Sequence, residues 1–316
     1  MDMRVAPAQV LLAQPRGFCA GVTRAIGVVE QALAQHGAPV YVFHEIVHNS
    51  HVVAALRAQG AVFVNDIHAI PAGALTVFSA HGVAPAIARQ ARARGLRVVD
   101  ATCPLVTKVH QHAQRYAAEG RTVLVIGHAG HDEVVGTLGH LADLGATAVL
   151  VSSAQAAEQL DLPAHAPLAY VTQTTLSVDD TRDTIATLRR RWPAIVGPAL
   201  ADICYATQNR QAAVRTLVPL VDLVLVVGSA NSSNNCRLRE LAQQQGLPAW
   251  LVDDASQIES AWLQDARRIG VTAGASTPEA LVQQVLARLK ALGVPRVHQL
   301  PGVTETVSFK PPALST

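Results

Sequence analysis

The sequence predicts an α/β protein. It reads as three pseudo-equivalent α/β modules, each of about 90–100 residues, with mostly parallel sheets around a shared centre. Three observations carry that expectation. Short β-branched runs alternate with helical patterns along almost the whole chain. Three cysteines, Cys19, Cys103 and Cys204, recur about once per third of the chain, each after a β-like stretch and just before a helical one. Polar loops of small residues follow strand after strand, at the end of the strand where open α/β sheets bind ligands.

The strand patterns, in order, are Val10–Ala13, Val40–Phe43, Leu75–Phe78, Leu96–Val99, Val123–Ile126, Ala148–Val151, Leu168–Val171, Ala201–Ile203, Leu223–Val227, Ala249–Val252 and Arg268–Thr272. Alternation of such runs with helices implies parallel sheets covered by helices. The helical patterns stop at Gly or before Pro: Val22–Gln35 at His36-Gly37, Pro104–Glu119 at Gly120, and Val178–Arg191 at Trp192-Pro193. Pro104 suits a first helical turn, where its missing N–H would go unpaired anyway. Ser177 reads as an N-cap, with Asp180 three residues on. The segment from Pro295 to Thr316 reads as a closing strand and tail. The expected modules are 21–103, 104–200, and 201–288 joined by 1–20, with 289–316 as the closing segment.

Half of the 316 residues are hydrophobic and only 15% are charged, which describes a globular chain with a large core. A formal charge of +2, with no Lys/Arg-rich run, gives no ground for nucleic-acid binding. Four widely spaced cysteines do not make a secreted disulfide framework, so a reducing, cytoplasmic location is expected. The start, Met1-Asp2-Met3-Arg4, lacks the regions of a signal peptide. The longest apolar stretch, Leu217–Val227, is interrupted by Pro219 and Asp222 and is too short to span a bilayer, so no membrane partner is expected.

A lone cysteine is usually a small buried hydrophobe. Three in matching contexts suggest ligands delivered to one soft metal centre. Zinc sites pair their ligands as C-x₂₋₄-C, which is missing here, whereas thiolates from distant loops suit an iron–sulfur cluster, normally held by four cysteines. Three would leave one iron open to a substrate. Cys236 falls inside a helical pattern, Asn234–Gln245, and reads as structural. The loops carrying His48, His81, His131, Ser232, Ser233, Asn234 and Ser276 offer hydrogen-bond donors near helix starts, which favour a phosphate-bearing guest. No P-loop or G-x-G-x-x-G is present. Glu133, two residues after His131, could carry a proton, with Thr174 or Thr175 as relay.

Taken together, Pro15–Val22, His44–Asn49, Phe78–Val83, Asp100–Val106, Gly127–Glu133, Thr172–Ser177, Asn231–Asn234 and Thr272–Ser276 resemble, in order, the LytB/IspH family of 4-hydroxy-3-methylbut-2-enyl diphosphate reductases. The resemblance implies a three-module cloverleaf around a central cavity. It implies reductive removal of the allylic hydroxyl to give isopentenyl and dimethylallyl diphosphate, the last step of the methylerythritol phosphate route. It implies a [4Fe–4S] cluster on Cys19, Cys103 and Cys204, with a ferredoxin or flavodoxin as electron donor. It also implies diphosphate binding by His48, His81, His131, Ser232, Ser233, Asn234 and Ser276, with Thr174 at the hydroxyl end and Glu133 as proton source. Cys236 is a departure from the family pattern. Two rivals remain at this point: a zinc or iron hydrolase on His128, His131 and Glu133, which lacks H-E-x-x-H, and a non-enzymatic iron–sulfur sensor.

Overall fold

A computed structural model describes residues 8–198 and 202–313. The chain opens with β1 (Gln9–Leu12) and α1 (Ala20–His36). Then come β2 (Val40–Phe43), α2 (Ser50–Ala58), β3 (Ala61–Val64), β4 (Leu75–Phe78), α3 (Pro85–Ala93) and β5 (Arg97–Asp100). The middle holds α4 (Pro104–Ala118), β6 (Thr122–Ile126), α5 (Asp132–Asp143), β7 (Ala148–Val151), α6 (Ala154–Glu158), β8 (Leu168–Thr172) and α7 (Val178–Arg191). The last third comprises α8 (Tyr205–Leu217), β9 (Leu223–Val227), α9 (Ser233–Gln244), β10 (Ala249–Val252), β11 (Arg268–Ala273), α10 (Glu279–Ala291) and β12 (Arg296–Gln299).

These strands form three sheets, of orders β10-β9-β11-β1-β12, β3-β2-β4-β5 and β7-β6-β8, with every neighbouring pair parallel. The α/β class and the parallel sheets are as the alternation predicted. The continuous apolar run of β9 shows why: Leu223, Leu225 and Val227 enter one core cluster while Val224 and Val226 enter another. A strand buried on both faces needs no polar alternation. The same holds for β6, with Leu124 and Ile126 on one side and Val123 and Val125 on the other.

The chain divides into two compact units. One comprises residues 1–19, 48–52 and 205–307 and contains the five-stranded sheet. The other comprises 20–47, 53–204 and 308–316 and contains the four- and three-stranded sheets.

Helix signals read from the sequence hold. Pro104 occupies the first turn of α4, and the Ser177 side chain accepts from the Asp180 N–H at the start of α7. The closing segment contains β12, which pairs with β1 from Gln9↔Arg296 to Leu12↔Gln299. The expected strand Ala201–Ile203 is not seen among its described residues. Ala201 lies outside the described residues, and Asp202 and Ile203 are not in a strand. The Asp202 amide donates to the Thr172 hydroxyl (3.1 Å) and its carboxylate accepts from or pairs with His112 Nδ1 (3.0 Å), so side chains take the place of a ladder. The short strand β3 had not been expected. Residues Met1–Pro7, on which the signal-peptide reading rests, also lie outside the described residues. No helix among the described residues is long and apolar enough to cross a membrane.

Candidate functional site

Cys103 and Cys204 belong to the larger unit and Cys19 to the other. Each of the three stands immediately before a helix: Cys19 before α1, Cys103 as the N-cap residue of α4, and Cys204 before α8. All three are partly buried, and no disulfide joins the chain's four cysteines. The strand-before-cysteine context holds for Cys103 after β5, is stretched to a seven-residue turn region after β1 for Cys19 (residues 13–19), and fails for Cys204.

In the larger unit, the loops after β4, β6 and β8 hold the predicted polar residues together. His131 caps α5, its Nδ1 accepting from the Glu133 amide at 3.2 Å. An accepting Nδ1 places the ring proton of the neutral imidazole on Nε2. The Glu133 side chain, in the first turn of α5, is drawn to the loop after β8. Its Oε2 accepts from the Thr174 amide at 2.8 Å, and both carboxylate oxygens lie 2.9 Å from Thr174 Oγ1. Glu133 and Thr174 are 5% and 4% exposed, so this is a buried carboxylate with its lone pairs directed at fixed donors.

The cysteines of this unit are tied to the same residues by backbone bonds. The Cys204 amide donates to the Thr174 carbonyl (3.1 Å), and the Cys103 amide donates to the carbonyl of Ala80 (2.9 Å), the neighbour of His81. The His81 and His131 rings meet edge-on at 6.0 Å, and His81 Nδ1 lies 3.7 Å from Asp132. A connected path therefore runs from Cys204 through Thr174, Glu133, His131 and His81 to the Cys103 loop. Sequence reading gave Gln173 no role. Its Oε1 accepts from the His128 amide (3.0 Å) and its Nε2 donates to Thr175 (2.8 Å), bracing the β6 loop against the β8 loop. Its place inside the polar stretch Thr172–Ser177 assigns it no role by itself, because the partner loop lies 45 residues away in sequence.

In the smaller unit, Cys19 donates its amide to the Ala275 carbonyl (3.2 Å), beside Ser276. The Ser276 hydroxyl donates to the His48 carbonyl at 2.9 Å. Ser232 caps α9, accepting from the Asn235 amide, and Asn235 Nδ2 donates to the Ser229 carbonyl (3.0 Å). Ser233 and Asn234 follow in the first turn. Asn234 is 2% exposed, yet neither its amide nitrogen nor its oxygen has a hydrogen-bond partner. Asn49, beside His48, accepts from the Val52 amide at the start of α2, and its Nδ2 is likewise buried without a partner. Orphaned buried amide N–H groups at a helix N-terminus, here Nδ2 of Asn234 and Asn49, are what an anionic ligand would satisfy. Asn49 was not among the predicted binding residues, although its place next to His48 pointed to it.

Cys236 stands apart from this pattern. It lies within α9 and its thiol donates to the Ala230 carbonyl (3.1 Å), while burial pushes its pKa up. Its thiol is thus engaged within the entry loop of its own helix.

Comparison with known proteins adds a second line. A family model described as LytB protein matches residues 10–290. The chain is 56% identical over 307 residues to the 4-hydroxy-3-methylbut-2-enyl diphosphate reductase of Zymomonas mobilis, covering 97% of this chain and 89% of that one. It is 58% identical over 311 residues to the protein of the same name from Bordetella pertussis, covering 98% and 95%. Among solved structures, the E-1-hydroxy-2-methyl-but-2-enyl-4-diphosphate reductase from Plasmodium falciparum superposes with a TM-score of 0.91 at 37% identity, over 97% of this chain and 96% of that one. A second solved reductase, described as the terminal enzyme of the non-mevalonate pathway, matches with a TM-score of 0.63 at 29% identity, over 90% and 99%.

Proposed function

The chain belongs to the LytB protein family, and from that premise we propose that it reduces 4-hydroxy-3-methylbut-2-enyl diphosphate to isopentenyl and dimethylallyl diphosphate. The reaction breaks the allylic C–O bond, releases the oxygen as water, and adds two electrons and two protons. The observation that carries this reading is the run Cys204–Thr174–Glu133, in which a thiol-bearing loop is bonded to a buried carboxylate.

The donor set fits a [4Fe–4S] cluster held by Cys19, Cys103 and Cys204. Three thiols sit at helix starts, where partial positive charge favours an anionic group, and the fourth, Cys236, is engaged elsewhere. Three thiolates are one fewer than such a cluster takes, so one iron would be left without a cysteine ligand. When bound, the cluster supplies the electrons and a Lewis-acidic iron.

The remaining work falls to this chain's own side chains. Asn234, Ser232 and Ser233 at the α9 N-terminus bind the diphosphate, with His48, His81, His131 and Ser276 adding hydrogen bonds. Anchoring that end orients the carbon chain and spares the reaction much of its entropic cost. The Thr174 hydroxyl meets the substrate's hydroxyl end, and Glu133 passes a proton to the departing oxygen through it. The His131 Nε2–H, fixed by the cap bond at Nδ1, points a donor rather than an acceptor toward its partner. A ferredoxin or flavodoxin delivers the electrons, and four widely spaced cysteines suit a reducing, cytoplasmic location.

The test is anaerobic purification with iron and sulfide counts, followed by a reductant-dependent assay on the diphosphate. Iron, acid-labile sulfide and both alkene products are expected from the wild type. Cys→Ser at positions 19, 103 or 204 should each remove the stable cluster, and Cys236→Ser should not. Stoichiometric zinc without sulfide would instead favour a hydrolase on His128, His131 and Glu133, and a filled cluster with no product would overturn the proposed reaction.

A further inference from the structure

The segment beyond β12 lies outside the residues that the family model matches, yet it runs beside the loop that carries Cys19. The Leu300 amide donates to the Leu12 carbonyl at 2.9 Å, so the tail continues the pairing past β1. Gly302 then approaches Gln14 so closely that a Cβ on it would fall 2.0 Å from the Gln14 carbonyl oxygen. Three residues on, the Glu305 carboxylate meets Arg210 of α8, at 2.9 Å from Nη1 and 3.2 Å from Nη2, and accepts from Asn209 Nδ2 at 3.0 Å.

Arg210 is fully buried. Its Nε and Nη2 both donate to the Gly17 carbonyl, at 3.1 and 2.6 Å, and Nη1 also donates to the Ala206 carbonyl at 2.9 Å. On the other flank of the same loop, the amides of Gly17 and Cys19 donate to the carbonyls of Ala273 and Ala275. Gly17 itself is left-handed (φ +69°), a conformation that gives the turn its direction and that other residues resist. The loop is thus gripped from two sides, by the continuation of β11 and by a buried guanidinium. A buried guanidinium is tolerable only when its charge is paired, and Glu305 is the carboxylate that pairs it.

We infer that the C-terminal tail is a strap that sets the Cys19 loop in its ligating form, with Arg210 and Glu305 as positioning residues for that thiolate. The inference rests on the cluster reading given above. Removing the Glu305 charge leaves Arg210 unpaired, so the guanidinium withdraws toward water and releases the Gly17 carbonyl.

The test compares the wild type, Glu305→Gln and Glu305→Asp as full chains. In the iron-free proteins, alkylation by iodoacetamide is followed at each cysteine by mass spectrometry. Glu305→Gln should raise the rate at Cys19 roughly tenfold, the effect of losing a charge-assisted restraint, and leave Cys103 and Cys204 near wild type. Glu305→Asp, which keeps the charge on a shorter arm, should give a smaller rise at the same thiol. In the reconstituted holoproteins, Glu305→Gln should bleach faster in air and shift the electron paramagnetic resonance signal of the reduced cluster. Unchanged alkylation at Cys19, or an equal rise at all three thiols, would overturn the strap, the second result marking general loosening. If Glu305→Gln does not fold, Glu305→Asp carries the same comparison. A wild type that takes up no iron or sulfide would defeat the cluster reading alone, because the alkylation pattern reports the loop without it.

Discussion

Glu133 shows what a single residue contributes. Its carboxylate is held by the Thr174 amide and hydroxyl inside a buried pocket of the larger unit. Replacing it with Gln keeps the shape and one acceptor but removes the transferable proton. Glu133→Gln should therefore retain cluster and substrate binding while kcat falls roughly 10²–10⁴-fold, the usual contribution of a positioned acid. Steady-state kinetics with an independent binding measurement would show it, and a wild-type kcat would remove Glu133 from proton transfer. Residues like these were legible because their types are rare and their contexts repeat. Cysteine stands out in any chain, and a histidine two residues before a glutamate at a glycine-rich turn is a visible constellation. Gln173 and Arg210 were not legible. A glutamine among threonines and an arginine within a helix carry no pattern, and their partners lie 45 and 193 residues away in sequence.

Among the elements, α4 and α5 meet through a histidine pair. The rings of His110 of α4 and His140 of α5 meet with centroids 4.2 Å apart and planes tilted by 33°, and Gly82 and Gly136 pack against the His110 ring. Burial, and then the neighbouring His140, lowers the His110 pKa from 6.5 to about 3. The folded state thus holds His110 neutral where the unfolded chain would protonate it. This contact costs nothing above pH 6.5 and weakens the fold as pH falls from 6.5 toward 3, by up to about 1.4 kcal/mol per unit. Urea unfolding between pH 7 and 4.5 should show that acid loss, and His110→Gln should flatten part of it. An identical slope in the variant would mean that other groups govern acid sensitivity. Helix limits were readable to within two residues, because caps and glycines mark them locally: α7 runs from Val178 to Arg191 as expected. The expected strand before Cys204 failed because three residues cannot declare a partner. Asp202 gives its amide to the Thr172 side chain instead, and that bond is set by tertiary structure.

For the whole molecule, the decisive feature is the five-stranded sheet, whose β1 lies between β11 and β12. Strand alternation predicted the α/β class, but it could not tell that the first and last strands pair in register, since four-residue runs fit many neighbours. A chain ending at Val294 would lose β12 and the buried Leu300, leaving one edge of β1 open. An open apolar edge pairs with whatever strand it meets. Size-exclusion chromatography should find that truncated chain aggregated, and a monodisperse product with native circular dichroism would show that β12 is dispensable.

That arrangement also has a consequence for biosynthesis. A ribosome adds about 5–20 residues per second, so tens of seconds separate the emergence of β1 from that of β12. For most of that interval neither β11 nor β12 exists to pair with the first strand, and the thiol seven residues beyond it rides on an unsecured turn. If Cys19 holds the proposed cluster, iron loading there is expected to follow translation rather than accompany it. On that reading, the sulfur stays open to oxidation until the final residues have left the exit tunnel.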